Sequence, residues 1–162
     1  MGTVAGTIDL AGDLTVSAGT GATLATVDDN AVDGTNSLDV TSGTAGASGN
    51  VQIGIIGGTN EVLNVTASGS DVGSVTLAAS DLDGTLQVSN TTLLDFTGAV
   101  GGTDAPSAIT ASTEVDTIDI GASLTADAVT LGTTDGDIDV TATSTVTANT
   151  TTVDMGDRKS VV

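Results

Sequence analysis

Four triplets of alternating apolar and polar residues recur at nearly constant spacing in the middle of this chain. They are Val51-Gln52-Ile53, Leu63-Asn64-Val65, Val75-Thr76-Leu77 and Leu86-Gln87-Val88. Each has the two-residue period of a half-buried β-strand, and Gly, Ser and Asp residues that favour turns separate it from the next. A short strand and a turn that repeat about every 12 residues are typical of a repetitive all-β protein.

Similar triplets occur on both sides of this stretch, namely Ile8-Asp9-Leu10, Leu14-Thr15-Val16, Leu38-Asp39-Val40, Ile118-Asp119-Ile120, Val129-Thr130-Leu131, Ile138-Asp139-Val140 and Val153-Asp154-Met155. Two strands per turn of the chain give a coil of roughly 20 to 24 residues, and such coils bury their apolar sides by stacking about 4.8 Å apart. We therefore predict an all-β fold, a parallel β-helix (β-solenoid). The alternative is an immunoglobulin-like or other β-sandwich, in which the Asp-Gly pairs at 33–34, 83–84 and 135–136 turn hairpins.

Composition limits which residues can form the core and which partners the chain can bind. The chain has one Phe and no Trp or Tyr, so the core must be built from Val, Ile, Leu and Ala. The absence of Cys excludes disulfides and thiolate metal sites. No apolar run has the length of a membrane helix, so the chain is not expected to span a membrane. The net charge of −19, from 21 acidic and 2 basic residues, disfavours nucleic acids and anionic membranes as partners.

Residues 1–156 are predicted to form a single solenoid segment, a fragment of a longer repeat protein. The regular spacing of the triplets is lost near 98–106. This segment contains the one proline, Pro106, and is predicted to be an inserted loop.

Both basic residues, Arg158 and Lys159, stand together at the end of the chain. We interpret 157–162 as a non-native tail. An open coil end leaves unpaired edge strands, so end-to-end self-association is also expected.

Two stretches carry a resemblance to a known family. Gly136-Asp137-Ile138-Asp139-Val140-Thr141-Ala142 and Asp116-Thr117-Ile118-Asp119-Ile120-Gly121-Ala122 resemble the repeat of filamentous-haemagglutinin-type bacterial exoproteins. Those proteins are right-handed parallel β-helices that are exported to the cell surface and act in adhesion. The resemblance implies an extracellular location and, as partners, host or neighbouring-cell surfaces, glycans or matrix.

A second resemblance competes with the first. The stretch 60–69, NEVLNVTASG, is similar to repeats in bacterial surface-layer and calcium-dependent secreted proteins. The diagnostic calcium nonapeptide of those proteins, Gly-Gly-x-Gly-x-Asp, is missing, and Gly101-Gly102-Thr103-Asp104 is only a fragment of it. This resemblance implies a surface-layer or calcium-binding extracellular matrix protein.

Alternating carboxylates mark the candidate metal site. They are Asp81, Asp83, Asp135, Asp137 and Asp139, spaced as in loops that bind hard cations through oxygen ligands. The competing interpretation is that Asp and Gly are simply the ordinary residues of turns. Outward Asp residues at the centres of triplets would repel one another if they stacked, and cations would relieve that repulsion. No cofactor is required, and calcium is the one candidate.

Catalytic groups are scarce in this sequence. Without His, Cys or Tyr, nucleophile–base triads and thiol chemistry have no components. The adjacent carboxylates Asp28-Asp29 resemble the acid–base pairs of β-helix polysaccharide hydrolases, but those enzymes also need a His and a cationic site. We interpret Asp28-Asp29 as a solvated turn and predict no enzymatic activity. The expected function is a structural and adhesive segment of a large secreted bacterial surface protein, with the surface-layer interpretation second and a polysaccharide-active enzyme third.

Overall fold

A computed structural model describes most of the chain, namely residues 2–19, 21–29, 35–42, 50–57, 61–69, 73–103, 105–111, 115–133, 137–141, 143–150, 153–154 and 160–161. The described residues form β-strands and turns. The strands are β1 (Gly2–Leu10), β2 (Leu14–Ala18), β3 (Gly21–Asp29), β4 (Ser37–Ser42), β5 (Asn50–Ile56), β6 (Asn64–Ser68), β7 (Ser74–Leu77), β8 (Thr85–Ser89), β9 (Thr91–Phe96), β10 (Ala108–Ala111), β11 (Val115–Ile120), β12 (Leu124–Ala126), β13 (Ala128–Leu131), β14 (Ile138–Val140), β15 (Val146–Ala148), β16 (Val153–Asp154) and β17 (Ser160–Val161).

The strands stack in parallel into two long sheets and one short one. The larger sheet has eight strands in the order β1-β3-β5-β7-β9-β11-β14-β17, and the smaller has seven in the order β16-β13-β10-β8-β6-β4-β2. From β1 to β11, successive strands alternate between the two sheets, so two strands and their turns make one coil. This arrangement confirms the predicted parallel β-solenoid. The last strand, β17, lies within the segment 157–162.

The register of the ladders gives the length of each coil. Val51 pairs with Val75 of the next coil, and Leu86 pairs with Ile109. The sequence separation of both pairs lies within the range predicted for one coil. The step from β3 to β5 is longer than that range, since Ala22 pairs with Val51.

Apolar side chains of equivalent positions line up inside the solenoid. Because parallel strands pair in register, each inward residue packs on its counterpart in the next coil, and alternate residues of each strand point inward. One inward column of the larger sheet contains Leu24, Ile53, Leu77, Phe96 and Ile120. The facing column of the smaller sheet contains Leu38, Val65, Leu86, Ile109 and Val129. All ten side chains are buried.

A third inward column closes the coil between the two sheets. It runs through Ile56, Ser80, Val100 and Leu124, which form successive parallel bridges. Val100 belongs to 98–106, the segment that sequence predicts as an inserted loop. In the structure Val100 is buried, and the next residue, Gly101, donates its N–H to the carbonyl oxygen of Ser80 at 2.9 Å. At least this part of the segment therefore follows the wall of the coil.

Hydroxyl side chains tie the corners of neighbouring coils together. Thr92 donates both its N–H and its hydroxyl to the carbonyl oxygen of Gly73, at 2.9 and 2.8 Å. The same double donation to a carbonyl of the preceding coil recurs at Thr97, Ser107, Thr141 and Thr150. A Thr or Ser at a corner thus gives a carbonyl that already accepts a backbone N–H a second hydrogen bond, and part of the abundant Thr has this structural role.

Candidate functional site

A line of carboxylates runs along the outer face of the larger sheet. Asp95 is the outward residue next to the end of β9, and it pairs in register with Asp119 of β11. Asp119 in turn pairs with Asp139 of β14. Neighbouring strands lie about 4.8 Å apart, so three acidic side chains follow one another along the rod at that spacing. We call Asp95, Asp119 and Asp139 the acidic ladder.

The acidic ladder borders a shallow depression in the surface. Its volume is about 410 Å³, and its lining residues are Asp95, Asp119, Ile120, Gly121, Asp139, Val140 and Thr141. Partial burial raises the pKa of Asp95 above its ordinary value, and the negative charge of Asp119 raises it further. Both effects disfavour the ionised form of Asp95. The ladder therefore carries electrostatic strain at neutral pH, because like charges directly opposite each other in a sheet destabilise it.

The four described residues of the predicted calcium site do not gather at one place. Asp139 belongs to the acidic ladder, and Asp137 is exposed two residues before it. Asp81 and Asp83 flank buried Leu82 in the turn before β8. Asp135 lies outside the described residues. Among the residues that the structure describes, no three His, Cys, Asp or Glu side chains are grouped to hold a metal ion, and calcium binding stays a prediction.

Removing a charge from the acidic ladder should stabilise the fold by a measurable amount. We expect Asp119→Asn to raise the free energy of unfolding at pH 7 by about 0.5 to 1 kcal/mol, because it removes the middle charge of three. Urea denaturation followed by circular dichroism measures the change. The control is Asp83→Asn, which removes an exposed carboxylate in a turn. Equal stability of the two variants would contradict electrostatic strain in the ladder.

The raised pKa of Asp95 also determines whether its contribution to the stability of the fold rises or falls with pH. The folded chain holds the Asp95 proton more tightly than the unfolded chain, whose pKa is near the ordinary 3.8. The stabilisation from protonated Asp95 is therefore full below that ordinary pKa and is lost as the pH rises through the raised folded pKa. We expect the gain in melting temperature between pH 7 and pH 4 to be smaller in Asp119→Asn than in the unaltered chain. A gain of the same size in both would contradict the coupling of these two carboxyls.

The interpretation of Asp28-Asp29 as a solvated turn is wrong. Both residues end strand β3, and they are only 6% and 1% exposed. Asp29 Oδ2 accepts the backbone N–H groups of Thr35 and Asn36 at 2.8 and 2.7 Å, and Asp29 Oδ1 accepts Asn36 Nδ2–H at 2.8 Å. Asn36 Nδ2–H also donates to the carbonyl of Leu10 in the preceding coil, at 3.2 Å. Asp29 therefore fixes the chain as it enters β4, which is a structural role.

Sequence reasoning missed two of the residues that matter here. The sequence does not mark Asp95 as an outward carboxylate, because the run Leu93-Leu94-Asp95-Phe96 does not alternate from its first residue. The register of β9 with β11 shows which residues of this run point outward. Leu94 pairs with the inward residue Ile118 and is itself inward, so Asp95 points outward. Asn36 follows the Asp-Gly pair at 33–34, and no local pattern marks it as the partner of Asp29.

The fold and its outer face define a parallel β-solenoid with an acidic ladder on one side. No protein-family model, no curated protein and no solved structure matches this chain. Across the described ranges, no helix combines the length and the apolar character that crossing a membrane requires.

Proposed function

We propose that this chain is a non-enzymatic structural and adhesive segment of a large secreted bacterial surface protein. The observation that carries the proposal is the set of in-register apolar columns that run from β3 to β11 in the larger sheet and from β4 to β13 in the smaller. Eight strands stacked in the larger sheet, at about 4.8 Å per step, give a stiff element roughly 34 Å long. Such an element holds its outer faces in a fixed, repeating arrangement.

The surface of this rod suits adhesion because its outward side chains repeat from coil to coil. A weak contact made once per coil is multiplied when the partner also repeats, without any single strong site. The resemblance of 116–122 and 136–142 to filamentous-haemagglutinin-type exoproteins supports an extracellular location. Host or neighbouring-cell surfaces, glycans and matrix are the partners that this function requires.

Adhesion by the folded rod can be tested with coated beads. Beads carrying the full chain should bind to cultured epithelial cells or to an extracellular-matrix layer, and beads carrying heat-unfolded chain should not. Binding by the unfolded chain alone, or by neither form, would contradict an adhesive role of the solenoid.

The same beads should release no reducing sugar from polysaccharides. Release that is abolished by Asp28→Asn or Asp29→Asn would instead favour the enzyme interpretation.

A surface-layer or calcium-binding matrix protein is the second candidate, and the acidic ladder favours it. Cations beside three stacked carboxylates would lower their repulsion. For the adhesive rod, whose stability comes from its apolar columns, we expect the chain to be folded in chelator as well as in millimolar calcium. Circular dichroism on heating tests this. A chain that is disordered in chelator and folded with calcium would move the assignment to the surface-layer class.

A further inference from the structure

We propose that the outer face of the smaller sheet binds a neutral, linear polysaccharide that lies along the rod axis. The contact line is the central outward column of four neighbouring strands, β6, β8, β10 and β13. Its members are Thr66, Gln87, Thr110 and Thr130, which we call the neutral column. This inference rests on the proposed adhesive function and names both the face and the class of partner.

The neutral column presents hydrogen-bonding groups at a regular interval. Thr66 pairs with Gln87, Gln87 with Thr110, and Thr110 with Thr130. Parallel in-register pairing places these side chains in a straight line, about 4.8 Å apart. A hydroxyl or a primary amide can both donate and accept hydrogen bonds. The column is therefore a row of four groups that each match the hydroxyls of a sugar.

Within the part of the rod that the structure describes, the hydrogen-bonding groups of the neutral column are unused. Among the described residues, the side chains of its four members make no hydrogen bond. The hydroxyls at the corners of the coils differ, since those of Thr92, Thr97 and Ser107 all bond to carbonyls of the preceding coil. Corner hydroxyls thus serve the fold, while those of the neutral column face outward and are available to a partner.

The four strands of the neutral column present no charge on their outer side, although the protein is strongly acidic. The outward residues of the four strands are Asn64, Thr66, Ser68, Thr85, Gln87, Ser89, Ala108, Thr110, Ala128 and Thr130, and none is ionisable. Asp39 and Asp154 bound the neutral column at its two ends. Covering a carboxylate removes it from water at a large cost in free energy. A partner that lies flat on the rod therefore fits this face and avoids the acidic ladder on the larger sheet.

The chemistry of the face favours a polysaccharide over a protein. Protein partners draw most of their affinity from buried aromatic, Arg or large apolar anchors, and this face carries none. A neutral glycan has hydroxyls on every unit and no charge to be repelled by a net charge of −19. Each sugar contributes a weak contact, and the repetition along the column adds these contacts together.

Cosedimentation with cellulose particles tests the inference, with two pairs of matched substitutions. Gln87→Glu with Thr110→Asp adds two charges to neighbouring positions of the neutral column. Gln52→Glu with Thr23→Asp adds the same two charges, by the same substitutions, to neighbouring positions on the larger sheet. Gln52 and Gln87 are both exposed, and Thr23 and Thr110 are both half-buried. Circular dichroism confirms that each variant is folded, and the single substitutions Gln87→Glu and Gln52→Glu replace any double variant that is not.

The unaltered chain should bind cellulose and should bind carboxymethylated cellulose at least about tenfold more weakly, because the anionic polymer is repelled. The neutral-column pair should lower binding to cellulose by about tenfold, equivalent to about 1.4 kcal/mol, and the larger-sheet pair by less than about twofold. Equal losses in the two pairs, or a larger loss in the larger-sheet pair, would overturn the assigned face and leave adhesion intact. Absence of binding to cellulose would overturn the inference, while binding of coated beads to cells would still support the proposed function.

Discussion

Phe96→Ala is expected to lower the free energy of unfolding by about 3 to 5 kcal/mol, the usual cost of a cavity left by a buried Phe. Phe96 is the one aromatic residue of the chain, and its side chain is fully buried. It stacks between Leu77 and Ile120 of the neighbouring coils. Aliphatic neighbours held by hydrogen-bonded ladders on both sides have little freedom to collapse into the space that Phe96 leaves.

Urea denaturation followed by far-ultraviolet circular dichroism measures this loss. The matched control is Leu93→Ala in the same strand, because Leu93 is an outward residue that is only half-buried. We expect the control to lose about 1 kcal/mol or less. If the two variants lost the same free energy, the inward column through Phe96 could not be a principal source of stability.

The repetition of the chain made its fold predictable. Alternation in triplets such as Val75-Thr76-Leu77 and Leu86-Gln87-Val88 marks inward and outward positions directly, and the structure confirms these strands. A spacing near half a coil between triplets then implies that alternate triplets stack. Val51-Gln52-Ile53 does pair with Val75-Thr76-Leu77, and the strand between them belongs to the other sheet.

Register was harder to predict than the fold. The sequence predicts Leu63 and Val65 as the two inward residues of the triplet Leu63-Asn64-Val65. The strand instead runs from Asn64 to Ser68, and its inward residues are Val65 and Ala67, two positions further along the chain. The alternation continues through Leu63, Val65 and Ala67, so the local pattern fits either choice. Pairing of Val65 with Leu86 in the next coil selects one of them, and such pairing is a tertiary effect that a single stretch does not encode.

The candidate sites were less predictable because they depend on neighbours from different coils. Stacking of outward carboxylates was foreseen as a source of repulsion, but which ones stack follows from the register alone. Asp119 and Asp139 prove to be neighbours, whereas Asp39 lies between Thr15 and Thr66 on the other sheet. The neutral column has the same origin, since Gln87 and Thr110 are a whole coil apart in sequence and adjacent in the sheet.

One corner of the coil depends on glycine in a way that spacing does not reveal. Gly57 and Gly101 each follow a residue of the third inward column, Ile56 and Val100, and these two residues stand two coils apart. Both glycines have positive φ angles, 64° and 69°. A Cβ at Gly101 would meet the carbonyl oxygen of Thr125 in the next coil, and a Cβ at Gly57 would meet that of Asp81. At Gly57 and Gly101 the backbone of the next coil approaches too closely for a side chain, whereas the other two coils carry Asp81 and Thr125 at the same corner position.

We therefore expect Gly101→Ala to lower the free energy of unfolding by about 2 to 4 kcal/mol, because it combines an unfavourable φ with a backbone clash. Gly102→Ala is the control, since Gly102 is exposed and a Cβ there would contact nothing within 4 Å. Its effect should be within about 0.5 kcal/mol of zero. Urea denaturation of both variants compares two adjacent glycines that differ in their place in the coil. A small effect at Gly101 would mean that neighbouring coils can separate at this corner without loss of stability. The stiffness on which an adhesive rod depends would then have to come from the two long sheets alone.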